Sequence, residues 1–124
     1  MQEQITQAQL EELISKYETV QIKDKILTED IIITSNEQYK CLRLLFDNCI
    51  FSEGITFRNI NSRYNISFTN CKKSKSLIFT NCNYFNEENQ HVESLLLVAC
   101  EFHQIYITES CFSNGINVLY PTIF

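Results

Sequence analysis

Residues 44–49 read LLFDNC, 55–60 read ITFRNI, 66–71 read ISFTNC and 77–82 read LIFTNC. Each hexamer begins eleven residues after the one before. Leu44, Ile55, Ile66 and Leu77 open them, and Phe46, Phe57, Phe68 and Phe79 follow two positions on. Asn48, Asn59, Asn70 and Asn81 come next, and Cys49, Ile60, Cys71 and Cys82 close them. Four positions held in step from Leu44 to Cys82 make an internal repeat, which constrains the fold more than any other feature. Counting back in elevens from Leu44 puts Ile33 and Ile22 at the opening position.

Within each hexamer, apolar-x-Phe alternates with period 2, the pattern of a strand with one buried face. Tight hairpins demand turn residues with positive φ, yet the 124 residues contain two glycines and one proline. Stacked parallel coils fit this composition better. A coil closed by one unit would be too narrow to hold a phenylalanine at every level. Two units per turn, about 22 residues, give the needed width. Phe46 is then expected beside Phe68, and Phe57 beside Phe79. The asparagines are expected to stack as well, each side-chain amide bonding the next coil at a turn, because a buried amide without a partner costs about 1–3 kcal/mol. The expected fold class is all-β: a right-handed parallel β-helix of about 4–5 coils with a short N-terminal capping α-helix.

Outward from the repeat, the chain changes character twice. Residues 6–17 carry Leu10, Leu13, Ile14 and Tyr17 on one helical stripe. Thr6 and Gln9 stand where a capping box needs them. Gln7, Gln9, Glu11, Glu12 and Lys16 occupy the other face. This helix reads as a lid on the first coil, or else as a segment that binds a partner. On the other side, the segment 83–93, NYFNEENQHVE, interrupts the register by seven residues, since Leu77 to Leu95 is 18 positions. The pattern resumes as LLLVACEF, IYITESCF and INVLY, with Ala99 and Glu109 in place of asparagine. The chain is read as one domain, with residues 1–19 as cap and 20–124 as repeats around the insertion at 83–93.

The repeat resembles the right-handed parallel β-helix superfamily, the pectin-lyase-like folds, and more loosely the pentapeptide-repeat proteins. Its face centres, Leu44, Cys49, Ile55, Ile60, Ile66, Cys71, Leu77 and Cys82, alternate steps of five and six, whereas a pentapeptide protein keeps steps of five. What the resemblance implies is architecture. Enzymes on such folds that cleave acidic polysaccharides carry clustered acids with Lys or Arg across several coils, and here only Asp47 and Arg58 suggest it.

Charge narrows the functional classes. The net charge is −5. Residues 1–40 hold eight acids and four lysines, and residues 41–124 hold seven acids and six basic residues, so the repeats are nearly neutral. A nucleic-acid binder wants a basic stripe, which is missing. Lys72, Lys73 and Lys75 are too short a run and read as a solvated corner. No apolar run reaches membrane-spanning length, and the first 15 residues lack the apolar core of a secretion signal. The expectation is therefore a cytoplasmic protein with no nucleic-acid or membrane partner. Its six cysteines are then read as reduced and structural, since five of them (49, 71, 82, 100 and 111) follow the repeat. No CxxC or CxxH pair points to a metal, and no cofactor is implied. His91 and His103 lack an adjacent partner in sequence and read as surface residues.

Two places remain for function. The insertion offers Tyr84, Phe85, Glu87, Glu88, His91 and Glu93 to a partner, because loops on a rigid scaffold often carry binding. The C-terminal edge offers Val118, Tyr120, Ile123 and Phe124 as an oligomer contact, because solenoid ends expose core and unpaired strands. The favoured expectation is a non-catalytic protein-binding β-helix, such as a scaffold, inhibitor or immunity-type partner. A carbohydrate-binding or carbohydrate-cleaving β-helix is the alternative. A structural end-to-end homo-oligomer, or the N-terminal part of a longer β-helix, is a third.

Overall fold

The computed structural model describes residues 3–39, 43–87, 89 and 91–119. It is all-β apart from one helix, and its parallel strands wind into a β-solenoid of about five turns. The chain enters through β1 (Glu3–Ile5) and α1 (Gln7–Lys16). The first coil holds β2 (Thr19–Lys23), β3 (Lys25–Leu27) and β4 (Ile31–Thr34). The second holds β5 (Arg43–Asp47), β6 (Ile50–Phe51), β7 (Ile55–Arg58) and β8 (Asn61–Ser62). The third holds β9 (Ile66–Thr69), β10 (Ser74–Thr80) and β11 (Asn83–Tyr84). Next come β12 (Leu95–Val98), β13 (Phe102–Thr108), β14 (Cys111–Phe112) and β15 (Ile116–Leu119). Four sheets form the walls, ordered β1-β3-β6, β13-β10-β7-β4, β14-β11-β8 and β15-β12-β9-β5-β2.

The register matches two units per coil from Leu44 onward. Leu44 pairs with Ile66 and Phe46 with Phe68, while Ile55 pairs with Leu77 and Phe57 with Phe79. The rings stack as the spacing requires: Phe46 on Phe68 at 5.1 Å and Phe57 on Phe79 at 5.0 Å, both nearly parallel. The first coil is longer than expected. Val20, not Ile22, pairs with Leu44, and Ile31, not Ile33, pairs with Ile55, a step of 24 residues. Ile22 and Ile33 instead sit at the phenylalanine level. The shift is two residues, one full period of the strand, so the same side chains still face inward.

The repeated asparagines serve the backbone rather than the core. Asn48, Asn59, Asn70 and Asn81 have φ between 53° and 57° and are exposed, which corrects the expectation of a buried amide ladder. Each turns a corner in the left-handed region, where asparagine is tolerated and most residues are strained. Each also donates its backbone N–H to a carbonyl of the coil above, as Asn48 does to Thr69 at 2.8 Å. The side chains bond from coil to coil at two corners, Asn81 Nδ2 to Asn59 Oδ1 (2.8 Å) and Asn48 Nδ2 to Asp24 Oδ1 (2.7 Å).

A cysteine follows the corners at Asn48, Asn70, Asn81 and Ala99, and each is buried. The thiols of Cys49, Cys82 and Cys100 lie 3.2–3.3 Å from the carbonyls of Ile22, Phe57 and Phe68, one coil below, and donate to them. Cys111 does not share this slot. It is exposed in β14, and Ser110 occupies the position, accepting the N–H of Cys82 at 2.9 Å. The two glycines serve one further turn, used twice: FSEG (51–54) and FSNG (112–115) each end on a glycine at φ 92° whose N–H returns to the phenylalanine carbonyl.

Helix α1 seals the first coil. Thr6 and Gln9 form the capping box, with Oγ1 and Oε1 at 3.1 and 2.8 Å from the opposing N–H groups. Leu10 and Ile14 are buried in the core, whereas Tyr17 is the C-cap and exposed, contrary to the stripe. Gln7, expected on the solvent face, instead satisfies the edge of β4. Its amide donates to the Ile32 carbonyl (2.7 Å) and accepts the Ile32 N–H (2.9 Å), as a neighbouring strand would. No helix among the described residues is long and apolar enough to cross a membrane.

Candidate functional site

The insertion is a braced bulge on the wall of the solenoid. Asn83 and Tyr84 belong to β11, so the detour begins at Phe85. Asn114, one coil further on, points its amide into the bulge, with Nδ2 at 3.2, 3.4 and 3.2 Å from the carbonyls of Asn86, Asn89 and Val92. Ser94 Oγ accepts the Asn114 N–H at 3.0 Å. The structure therefore separates the insertion residues proposed as contacts. Tyr84 is buried, stacked on Phe112 at 5.6 Å and edge-on to Phe79 at 5.8 Å. It is a core residue, and its reading as a partner contact is corrected, because an inward ring in β11 cannot reach a partner. Phe85 and Glu93 are half-buried, and Glu87 and His91 are exposed. Glu87 lies 3.8 Å from Arg63, a solvent-exposed pair of little energetic weight. Glu88 lies outside the described residues.

The last coil is different. Strands β13, β14 and β15 end their sheets, so each has one edge with no strand beside it among the described residues. Among the described residues their inward side chains also lack a level above. Ile107 is 38% exposed, Ile116 47% and Val118 43%, whereas their register partners one coil below, Phe79, Leu95 and Leu97, are 0–2% exposed. Leu119 and Tyr106 are exposed beside them on the outer wall. Of the six large hydrophobic side chains exposed among the described residues, only Tyr17 lies elsewhere. Val118 was named from sequence as part of this edge, and Tyr120, Ile123 and Phe124 lie outside the described residues. Tyr106, Ile107, Ile116 and Leu119 were missed. The signal was the register itself, since IYIT and INVL repeat the alternation of the earlier units and so carry inward positions at Ile107, Ile116 and Val118.

Comparison with protein-family models, curated proteins and solved structures gives no match. The chemistry of the site therefore rests on this chain alone. A cavity of about 240 Å³ opens beneath β8, where the coil below contributes no strand to that sheet. Its floor is apolar, with Ile14, Ile33, Phe57 and Ile66 from the core. Tyr64 also lines it, and Arg43 lies over the Tyr64 ring at 5.2 Å. Burial pushes the Tyr39 hydroxyl above its ordinary range, which keeps it neutral. The thiols are structural in their surroundings. Hydrogen bonding along the Cys49, Cys71 and Cys100 column pushes the middle thiol up, with burial adding to it, and pushes the two flanking thiols down. Burial raises Cys82 too. Cys71 and Cys82 are held as neutral thiols, the form least suited to nucleophilic attack.

Proposed function

We propose that the chain is a non-catalytic protein-binding β-solenoid, a scaffold or inhibitor-type module, and that its contact surface is the open edge of the last coil. One observation carries this reading: Ile107, Ile116 and Val118 are exposed, while Phe79, Leu95 and Leu97, their register partners one coil below, are sealed. A contiguous exposed apolar patch on a folded chain marks an interaction site. Exposed strand edges offer main-chain hydrogen bonds to an incoming strand. The opposite end favours the same reading, because there α1 covers the lumen and Gln7 satisfies the edge of β4. The non-catalytic part is supported by the buried thiols, which donate to carbonyls rather than facing a cleft.

The test is quantitative capture from extract of the native host, comparing the unaltered chain with Val118→Lys. A specific protein recovered by the first and lost with the second is the expected result. Identical recovery by both refutes the placement of the surface.

A further inference from the structure

We infer that the occupant of the open coil end is a second copy of this chain, docked head to head through β13, β14 and β15. This rests on the reading of that edge as the contact surface. Three observations select a second copy.

First, among the described residues the edge lacks the protection that keeps exposed strands apart. Single-copy sheets blunt their edges with Lys, Pro, bulges or inward charges. Between Phe102 and Leu119 there is no Lys, Arg or Pro, and the only acid is Glu109. Two copies facing each other therefore meet with almost no like-charge repulsion, and apolar side chains meet apolar side chains.

Second, the size fits. A coil of about 22 residues at roughly 3.3 Å per residue has a circumference of about 70 Å, enclosing roughly 400 Å² within the backbone and about 800 Å² with outward side chains. Stable interfaces bury about 800 Å² on each partner.

Third, the ends are unlike. The first coil is closed by α1, so the last coil of one copy cannot stack on the first coil of another. Head-to-tail growth into filaments is blocked, and the contact that remains is isologous and closes as a dimer. A two-fold axis across the solenoid axis runs the partner strands antiparallel. Two strand edges in that relation form a regular hydrogen-bond ladder.

The experiment is sedimentation equilibrium of the chain across a wide concentration range, with hydrogen exchange on the same samples. A species of twice the chain mass is expected, with slow exchange of the β13 and β15 amides appearing as it forms. Ile107→Lys and Val118→Lys should each abolish it. Both side chains already reach solvent, so the single copy keeps its fold, which its melting curve verifies. Tyr17→Lys, at the closed end, should leave the dimer intact. A monomer at every concentration refutes the second copy, and if that monomer still captures a host protein through the edge the binding reading survives. A dimer indifferent to Ile107→Lys and Val118→Lys refutes pairing at this end. Neither a dimer nor a captured partner refutes the binding reading as well.

Discussion

Phe68→Ala is the sharpest test of the core. Phe68 is fully buried at mid-stack. Its ring lies parallel on Phe46 at 5.1 Å and edge-on to Phe51 (5.9 Å), Phe57 (6.3 Å) and Phe102 (5.9 Å). Phe to Ala in a core costs about 3–5 kcal/mol, from lost transfer energy and the cavity left behind. Favourable ring pairs add about 0.5–1.5 kcal/mol each beyond burial. The coils above and below are held by backbone ladders and cannot collapse into the void, so the upper part of that range, about 4–5 kcal/mol, is expected. Phe112 supplies the internal comparison. It is half-buried in the last coil with rings on Phe79 and Tyr84, so Phe112→Ala should cost about 1–2 kcal/mol. Urea unfolding at one protein concentration measures both. With a slope of about 2 kcal/mol per molar, Phe68→Ala should lower the midpoint by about 2 M at unchanged slope. A loss below about 1 kcal/mol, or one no larger than that of Phe112→Ala, would refute the stacked aromatic column.

Three other outcomes follow from the corners, the bulge and the thiols. Ala99 and Glu109 hold φ of 53° and 51° at corners where the repeat uses asparagine. Ala99→Asn and Glu109→Asn should therefore each raise stability by about 0.5–1 kcal/mol in thermal unfolding, and Asn70→Val should lower it by about 1–2 kcal/mol. Asn114→Ala removes the donor shared by three carbonyls, so limited proteolysis should begin to cut within 85–93 while the coil amides stay protected; unchanged resistance would mean the brace is dispensable. Burial raises the Cys82 thiol in the folded chain. Its contribution to stability is fully present below the ordinary thiol pKa of about 8.5, and it falls as pH rises above it, because the unfolded chain then ionises and the folded chain does not. Between neutral pH and about pH 10 the melting temperature of Cys82→Val should fall less than that of the unaltered chain; a variant with the same slope would remove Cys82 from the account.

Most of the architecture was legible because one physical rule repeats. A strand hides alternate side chains, and a coil brings equal levels together, so Phe46 and Phe68 announce their contact by spacing. What stayed hidden was local. The two extra residues of the first coil leave the apolar parity of Ile22 and Ile33 intact, and a count of apolar positions cannot detect a slip by one full period. Asparagine at each corner looked like a buried ladder because sequence shows residue type and not φ. The FSEG and FSNG turns escaped notice because they fall on different corners and 61 residues apart, outside any eleven-residue count. Tyr84 looked like part of a loop because it sits among polar residues, yet it is the final residue of β11 and packs on Phe112 from the next coil. A contact supplied by a later coil leaves no local mark.

The same reasoning underlies the proposed contact surface at one end. In a solenoid each level is stabilised by the levels on both sides, so an interior coil is buried twice and a terminal coil once. At the first coil, this chain supplies the missing neighbour itself: Leu10 and Ile14 replace a layer of core, and the Gln7 amide replaces a strand. At the last coil, the apolar levels continue through Ile116 and Val118 without any change toward polar or charged residues. The inward pattern of β13 and β15 is thus that of an interior coil, and this is the level at which the proposed neighbour would dock. Binding of that neighbour would stabilise the folded chain by mass action, with the largest gain in the amides of the last coil and the smallest beneath α1.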